Sequence, residues 1–298
     1  MITIKAPAKI NLNLLVTGRR DDGLHLIDSL AVLADLTDVL TLTESDEDSF
    51  HCTGPMAAVL AQEQADNLVL RARDIYRQAT GWDQALAVRL EKNIPVAAGI
   101  GGGSADAAAM LHGVNQLAGG RLDDANLAEL GLHLGADVPV CLKSMQGPAW
   151  RMQGIGEQLA AVIPPFNSDT GPGLVLINTG IAVPTGAVFA ARAEHQMPFA
   201  AAAVYPAKPD KKDWYQLCQL GNSLAEAAQI VRPDIDEAAE MIAELATACG
   251  AGHWGMSGSG ATFFALFDTI DAAHDAIAQH PPTCWHWAGG LFHAETSE

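Results

Sequence analysis

The sequence predicts an α+β protein of two domains, and three observations carry that reading. Strand patterns and helix patterns are mixed without regular βαβ alternation, which argues against a single parallel sheet. The segment 163–173, Ile-Pro-Pro-Phe-Asn-Ser-Asp-Thr-Gly-Pro-Gly, is dense in chain breakers and reads as a linker. At 298 residues the chain is long enough for two cores, divided as 1–163 and 164–298.

Taken in order, residues 2–16 read as strand, with Pro7 as a break or bulge. From Lys9 onward Ile10, Leu12, Leu14 and Val16 share one face, while Lys9, Asn11 and Asn13 share the other. Asp22-Gly23 marks a hairpin turn, and 24–43 continue as strand. Asp66-Asn67 opens a helix running through Gln78, and 85–90 form a strand. Ala107, Met110, Leu111, Val114 and Leu117 make one apolar stripe, which predicts a helix over 104–118. A second helix over 123–134, a strand near 138–143, a turn at Gln146-Gly147-Pro148 and a strand over 149–154 follow. Beyond the linker come a strand at 174–178, a helix or irregular turn at 184–193 and a mobile loop at 194–213, where three prolines fall. Helices at 214–230 and 234–249, a hairpin-like pair around Ser257-Gly258-Ser259-Gly260, a helix at 269–279 and a strand near 284–293 close the chain. Trp285, Trp287 and Phe292 read as core.

Composition narrows the function. With 49% hydrophobic and 17% charged residues the chain folds as a globular protein. A net charge of −18 argues against binding nucleic acid or an anionic membrane, so an anionic substrate has to be met locally by N–H groups, Lys and Arg. Five cysteines without a C-x-x-C pair point to a reducing, cytoplasmic compartment. No basic-then-apolar leader and no apolar run of about 18 residues is seen, which predicts a soluble intracellular protein.

The densest chemical feature is 95–109, where Gly99, Gly101, Gly102 and Gly103 run into a helix. Glycine lets the backbone approach a ligand closely, and a helix start offers unpaired N–H groups and a positive dipole end. Together they make a phosphate site. The P-loop pattern fails, because Ser104 and Ala105 follow Gly103 with no lysine in the loop, and the dinucleotide fingerprint fails at Ser104. A tight strand-to-helix turn would also use glycines, although rarely four of them.

Three further strings fall into line with that loop: Pro7-Ala8-Lys9-Ile10-Asn11-Leu12, Gly135-Ala136-Asp137-Val138-Pro139 and Ser257-Gly258-Ser259-Gly260-Ala261-Thr262. In this order they resemble the GHMP small-molecule kinases over roughly residues 5–267. The loop Gly18-Arg19-Arg20-Asp21-Asp22-Gly23-Leu24-His25 and the triple glycine before Ser104 are similar to the branch that phosphorylates a cytidine-diphosphate-linked alcohol of the non-mevalonate isoprenoid pathway. The Gly-Glu-His turn of mevalonate kinases and galactokinases is missing.

The resemblance implies an N-terminal domain like the second domain of ribosomal protein S5, a ferredoxin-like C-terminal domain, and ATP with Mg²⁺ meeting a small-molecule substrate between them. A monomer or weak dimer is expected, and the net charge of −18 leaves no nucleic-acid or membrane partner. Lys9 and Asp137 match the catalytic pair. Asp137 would accept the hydroxyl proton, aimed by an Asp-x-Pro that ends a helix and holds Val138 extended. Lys9 would stabilise developing charge on alkoxide or phosphate. Pro95, Ala98, Gly99, Gly101, Gly102, Gly103 and Ser104 match the ATP-binding loop, and Asn11, His25 and Phe189 the substrate contacts. Gly258 and Gly260 would line the same site from the other domain. No residue is assigned to a metal; His133 and Asp137, four apart, lack a third ligand.

Several positions allow a plainer reading. Ser104 serves as helix N-cap or as a phosphate or magnesium contact, and Asp106 can simply complement the helix dipole. Asp66-Asn67 resembles the family's segment near the adenine, though capping alone accounts for it. Ser223 with Glu226 forms a capping box where the family tends to read Asn-Asp-Leu-Glu. Leu24 stands where the family usually has Tyr.

Overall fold

A computed structural model describes residues 1–60, 67–167 and 169–293. The first sheet holds β1 (Ile2–Asn11), β2 (Leu15–Arg19), β3 (His25–Glu44), β4 (Ser49–Thr53), and later β5 (Leu86–Glu91), β6 (Ala149–Gly154) and β7 (Gln158–Ala161). β3 is its spine, pairing antiparallel with β1, β2, β5 and β6 along its 20 residues. The break anticipated at Pro7 is a register shift between Pro7 and Lys9, after which Lys9 pairs with Leu33 and Asn11 with Ala31. A residue without an N–H fits such a bulge, and the bulge re-aims the side chains that follow. Asn13 departs from the shared polar face. It lies beyond β1, buried, its side chain donating to the Leu217 carbonyl and accepting from Leu30 N.

Helices α1 (Ala57–Leu60), α2 (Leu68–Thr80), α3 (Gly102–Leu117), α4 (Asp124–Leu134) and α5 (Val138–Leu142) belong to the same domain. Asn67 caps α2 by accepting from Val69 N at 2.9 Å; Asp66 lies outside the described residues. The apolar stripe of α3 is buried on the sheet, with Ala107, Met110, Leu111 and Val114 fully covered. Each large side chain there contributes about 1.5–3 kcal/mol. Gly113 sits close on β3 and β1, where a Cβ would lie 2.8 Å from Ile4 Cδ1.

The segment 138–143 is helix, not strand. A short apolar run does not distinguish the two, and Pro139 stands in the first helical turn, where its missing N–H is not needed. Val138 is therefore helical rather than held extended.

The second sheet is wholly antiparallel, in the order β11-β8-β10-β9. Its strands are β8 (Gly173–Asn178), β9 (His253–Met256), β10 (Phe263–Phe267) and β11 (Trp285–Gly289). Between them run α6 (Thr185–Glu194), α7 (Lys211–Cys218), α8 (Ala225–Val231), α9 (Asp236–Cys249) and α10 (Ile270–Gln279). The helix expected over 214–230 is two, because Gly221 turns at φ +75° and Asn222 then accepts from Leu224 N. The capping box of Ser223 and Glu226 does not form, and Leu224 occupies the cap position without a side-chain bond. Residues 195–210 carry no helix or strand but are tied down: Arg192 donates to the Pro198 carbonyl, and Asp28 accepts from Ala203 N at 2.8 Å.

Each sheet has its own core, and a third cluster joins them through Ile10, Leu12, Leu30, Leu176, Trp214 and Phe264. Trp285 and Trp287 pack against this shared cluster, and Phe292 is buried. No described helix is long and apolar enough to cross a membrane.

Candidate active site

The chain between β5 and α3 lies against both domains, and the carbonyls of Ala98, Gly99 and Ile100 each find a partner. Ala98 O accepts from Thr262 Oγ1 at 2.6 Å and Thr262 N at 3.2 Å. Gly99 O accepts from Ser257 Oγ at 3.3 Å, and Ile100 O from Lys9 N at 2.9 Å. In a trans peptide the N–H points opposite to the C=O, so the N–H groups of Gly99, Ile100 and Gly101 turn the other way. Among the described residues no acceptor meets the N–H of any residue from Gly99 to Ser104. Six successive free donors at the head of a 16-residue helix form a cradle for phosphate.

The glycines have separate reasons to be there. Gly99 (φ +74°) backs directly onto the Gly260 peptide, where a Cβ would overlap the carbonyl oxygen. Gly101 (φ +69°) is the N-cap of α3 and passes over Lys9, leaving a Cβ only 3.3 Å from Lys9 Cβ. Ser104 is then the third residue inside the helix, so it is not the cap. Its hydroxyl stays with the cleft residues. Tight packing and ligand approach, which sequence left as alternatives, are both served by one loop.

A cleft of about 930 Å³ runs past this loop and is lined by Lys9, Asn11, His25, Pro95, Ala98, Gly99, Gly101, Gly102, Gly103, Ser104, Asp137 and Phe189. The expected catalytic, ATP-loop and substrate positions thus border one space, whereas Gly260 does not line it and backs onto Gly99 instead. Gly258 and Ser259 line it from the second domain. Asn67, Leu68, Arg19 and Leu24 also line it.

At the centre Lys9 Nζ lies 2.9 Å from Asp137 Oδ2 and donates to Asn11 Oδ1 at 2.7 Å. The Lys9 side chain is 3% exposed and that of Asp137 33%, so the carboxylate is the accessible partner. Asp137 precedes α5 and makes no side-chain capping bond, which leaves its free oxygen for the cleft. Asn11 is anchored on three sides, by Lys9, by Ser29 Oγ at 2.8 Å and, through its backbone N–H, by Ser257 Oγ at 3.1 Å. It positions Lys9 and is itself buried.

Also lining the cleft, the rings of His25 and Phe189 stack at 5.0 Å and 27°. Burial, with Arg19 and Arg192 nearby, lowers the pKa of His25 below the ordinary imidazole value, which favours a neutral ring with one donor and one acceptor nitrogen. Leu24 beside it is 48% exposed.

One cluster lay outside the sequence reading. Asp106 does not complement the helix dipole from solvent; it is buried and ion-paired to Lys92 at 2.7 Å. Lys92 also pairs with the fully buried Asp38, and Lys92 and Asp106 line the cleft. Lys92 reads in sequence as an ordinary polar residue of Glu-Lys-Asn, and nothing local announces that β3 supplies its partner 54 positions away.

Comparison with known proteins agrees with this geometry. The family model for the GHMP kinases N terminal domain matches residues 67–144, and that for the GHMP kinases C terminal matches 207–283. The 4-diphosphocytidyl-2-C-methyl-D-erythritol kinase of Mesorhizobium japonicum is 42% identical over 93% of this chain and 90% of its own. The kinase of the same name from Gluconacetobacter diazotrophicus is 44% identical over 96% and 93%. A crystal structure of 4-(cytidine 5'-diphospho)-2C-methyl-D-erythritol kinase superposes with TM-score 0.74 at 31% identity, covering 98% of this chain and all of that one. A mevalonate kinase with TM-score 0.63 and 11% identity shares the fold. The chain belongs to the GHMP kinase family, and within it stands with the 4-diphosphocytidyl-2-C-methyl-D-erythritol kinases.

Proposed function

We propose that this kinase transfers the γ-phosphoryl group of ATP to the 2-hydroxyl of 4-diphosphocytidyl-2-C-methyl-D-erythritol, giving the 2-phosphate and ADP. The observation that carries the reading is the Lys9–Asp137 pair, set at 2.9 Å in a cleft between free backbone donors and a stacked aromatic end. The donors from Gly99 to Ser104 hold the phosphates, and Ser104 adds a hydroxyl. Asn67, Leu68 and Pro95 border the nucleoside end.

The alcohol places its hydroxyl between Asp137 and the γ-phosphorus. Its O–H bond breaks as Asp137 takes the proton, its oxygen bonds to phosphorus, and the bridging bond to the β-phosphate breaks to release ADP. Lys9 holds the carboxylate in place and offers positive charge where negative charge gathers. His25 and Phe189 receive the cytidine, the neutral imidazole using one donor and one acceptor on the base edge.

Mg²⁺ enters as the companion of the nucleotide. When bound with the nucleotide it would offset negative charge on the phosphates. No step here runs through it. We take the chain to act as a monomer or weak dimer, and five free cysteines suit a reducing cytoplasm.

Leu24 favours a second reading, a kinase for another small alcohol, because it replaces an aromatic face at the base end. A coupled ADP-release assay decides between them. We expect turnover with the cytidine-bearing alcohol and at least tenfold lower kcat/KM with the same alcohol phosphate lacking cytidine. Equal activity on both would overturn the cytidine assignment, and no ADP release from any alcohol would overturn the kinase reading.

A further inference from the structure

Beneath the phosphate cradle two carboxylates share one ammonium group out of contact with water. Lys92 Nζ donates to Asp38 Oδ2 and, at 2.7 Å, to Asp106 Oδ2. Lys92 and Asp106 are each 2% exposed and Asp38 is 0%. The three are unequally served. Asp38 Oδ1 accepts from Asn93 N at 2.6 Å and Ile94 N at 2.9 Å, so both of its oxygens have donors. Asp106 Oδ1 is buried with no hydrogen-bond partner, an arrangement that favours a neutral carboxyl.

The cluster touches the cradle itself. Asp106 is in the second turn of α3, whose first residues are the free donors, and a Cβ on Gly102 would lie 3.2 Å from Lys92 Nζ. With both carboxylates ionised the cluster carries one net negative charge under the place where a triphosphate arrives. The other groups that face Asp106 are Cys52 of β4 and Cys141 of α5, and burial raises the pKa of both thiols, so neither is charged near neutrality. Lys92 and Asp38 are then the charges that Asp106 meets. Burial already pushes the Asp106 carboxyl well above the usual carboxylate range, against the pull of Lys92.

We propose that Asp106 is a positioning residue that takes up a proton when the nucleotide triphosphate enters the cradle, leaving Lys92 and Asp38 as a neutral pair beneath the phosphates. The incoming anion disfavours one more carboxylate nearby, and Asp106 is the one whose neutral form loses least. Asp106 stays in place as an uncharged partner of Lys92, so the first turns of α3 remain docked on the loop. Proton uptake makes binding tighter as pH falls, so nucleotide affinity declines as pH rises through the slightly alkaline range. The inference rests on the kinase reading.

Calorimetry separates the two. MgATP is titrated into the full-length protein, without the alcohol, at pH 7.5–8.5 in two buffers of different ionisation enthalpy. We expect binding with uptake of most of a proton in the wild type, and little uptake with Asp106→Asn. Absence of any ATP binding would overturn the kinase reading; binding without uptake, or uptake unchanged in Asp106→Asn, would overturn this proposal alone. Infrared difference spectra of the wild type supply the measurement should the variant fail to fold. A protonated-carboxyl C=O band should grow on nucleotide binding, and its absence in the wild type refutes the proposal.

Discussion

At the scale of single residues, the chemistry turns on what each polar group has left to give. Asp137 makes one strong contact, to Lys9, and caps nothing, so replacing it should disturb chemistry far more than fold. We expect Asp137→Asn to keep its melting temperature within a few degrees and its ATP affinity, while kcat falls on the order of 10²-fold or more. Stopped-flow or steady-state ADP release with calorimetry for ATP measures both, and near wild-type turnover would make Asp137 structural. Lys9 and Asp137 stand out in sequence because their strings match the GHMP kinase motifs, while the extended Val138 read beside Asp137 gives way to helix. The dipole reading of Asp106 and the cap reading of Ser104 do not hold. Their roles depend on where α3 begins, and Gly101 rather than Ser104 takes the cap because its left-handed backbone starts the helix two residues earlier. Asn13, expected beside Lys9 and Asn11, lies beyond the end of β1, where the strand alternation no longer applies.

Among the elements, the loop before α3 and the short helix α5 do most to build the cleft. Gly99 meets two demands at once, a positive φ and contact with the Gly260 peptide. Gly119 has φ +78° with nothing within 4 Å of a Cβ, so it meets only the first. Gly119→Ala should therefore cost about 1–2 kcal/mol of stability, the left-handed strain alone, with ATP KM unchanged. Gly99→Ala adds displacement of the loop, and we expect ATP KM to rise at least tenfold with a larger drop in melting temperature. Thermal melts and ATP kinetics on the pair test this, and equal behaviour of the two variants would refute it. Most elements were readable from periodicity, above all α3 and β3. The errors fell where pattern is ambiguous: Val-Pro-Val-Cys-Leu is too short to tell buried helix from strand, and Gly221 divides a helical pattern into α7 and α8.

Across the whole molecule, the cleft exists because the turn 257–262 of the second domain grips the phosphate loop of the first. Thr262 Oγ1 donates to Ala98 O at 2.6 Å and accepts from Asn178 Nδ2 at 2.8 Å, both out of water. Thr262→Val keeps the shape but strands the Asn178 amide and leaves the Ala98 carbonyl with the backbone N–H of residue 262 alone, at a cost of roughly 1–3 kcal/mol. We expect lower stability by chemical denaturation and a several-fold higher Kd for ATP, with binding of the alcohol little changed; an unaltered ATP Kd would show that the loop holds its own conformation. By itself the sequence determined the mixed α+β class, the glycine-rich donor loop, the Lys9 and Asp137 strings and the likeness to the GHMP kinases, since each is a local pattern of residue types. Only the tertiary structure decided that the carbonyls of Ala98, Gly99 and Ile100 are taken, that Asn11 holds Lys9 and meets Ser257, and that Asp38 and Asp106 share Lys92. Those relations join residues up to 246 positions apart, as between Asn11 and Ser257, and hydrogen bonding over such a span is set by how the two sheets pack.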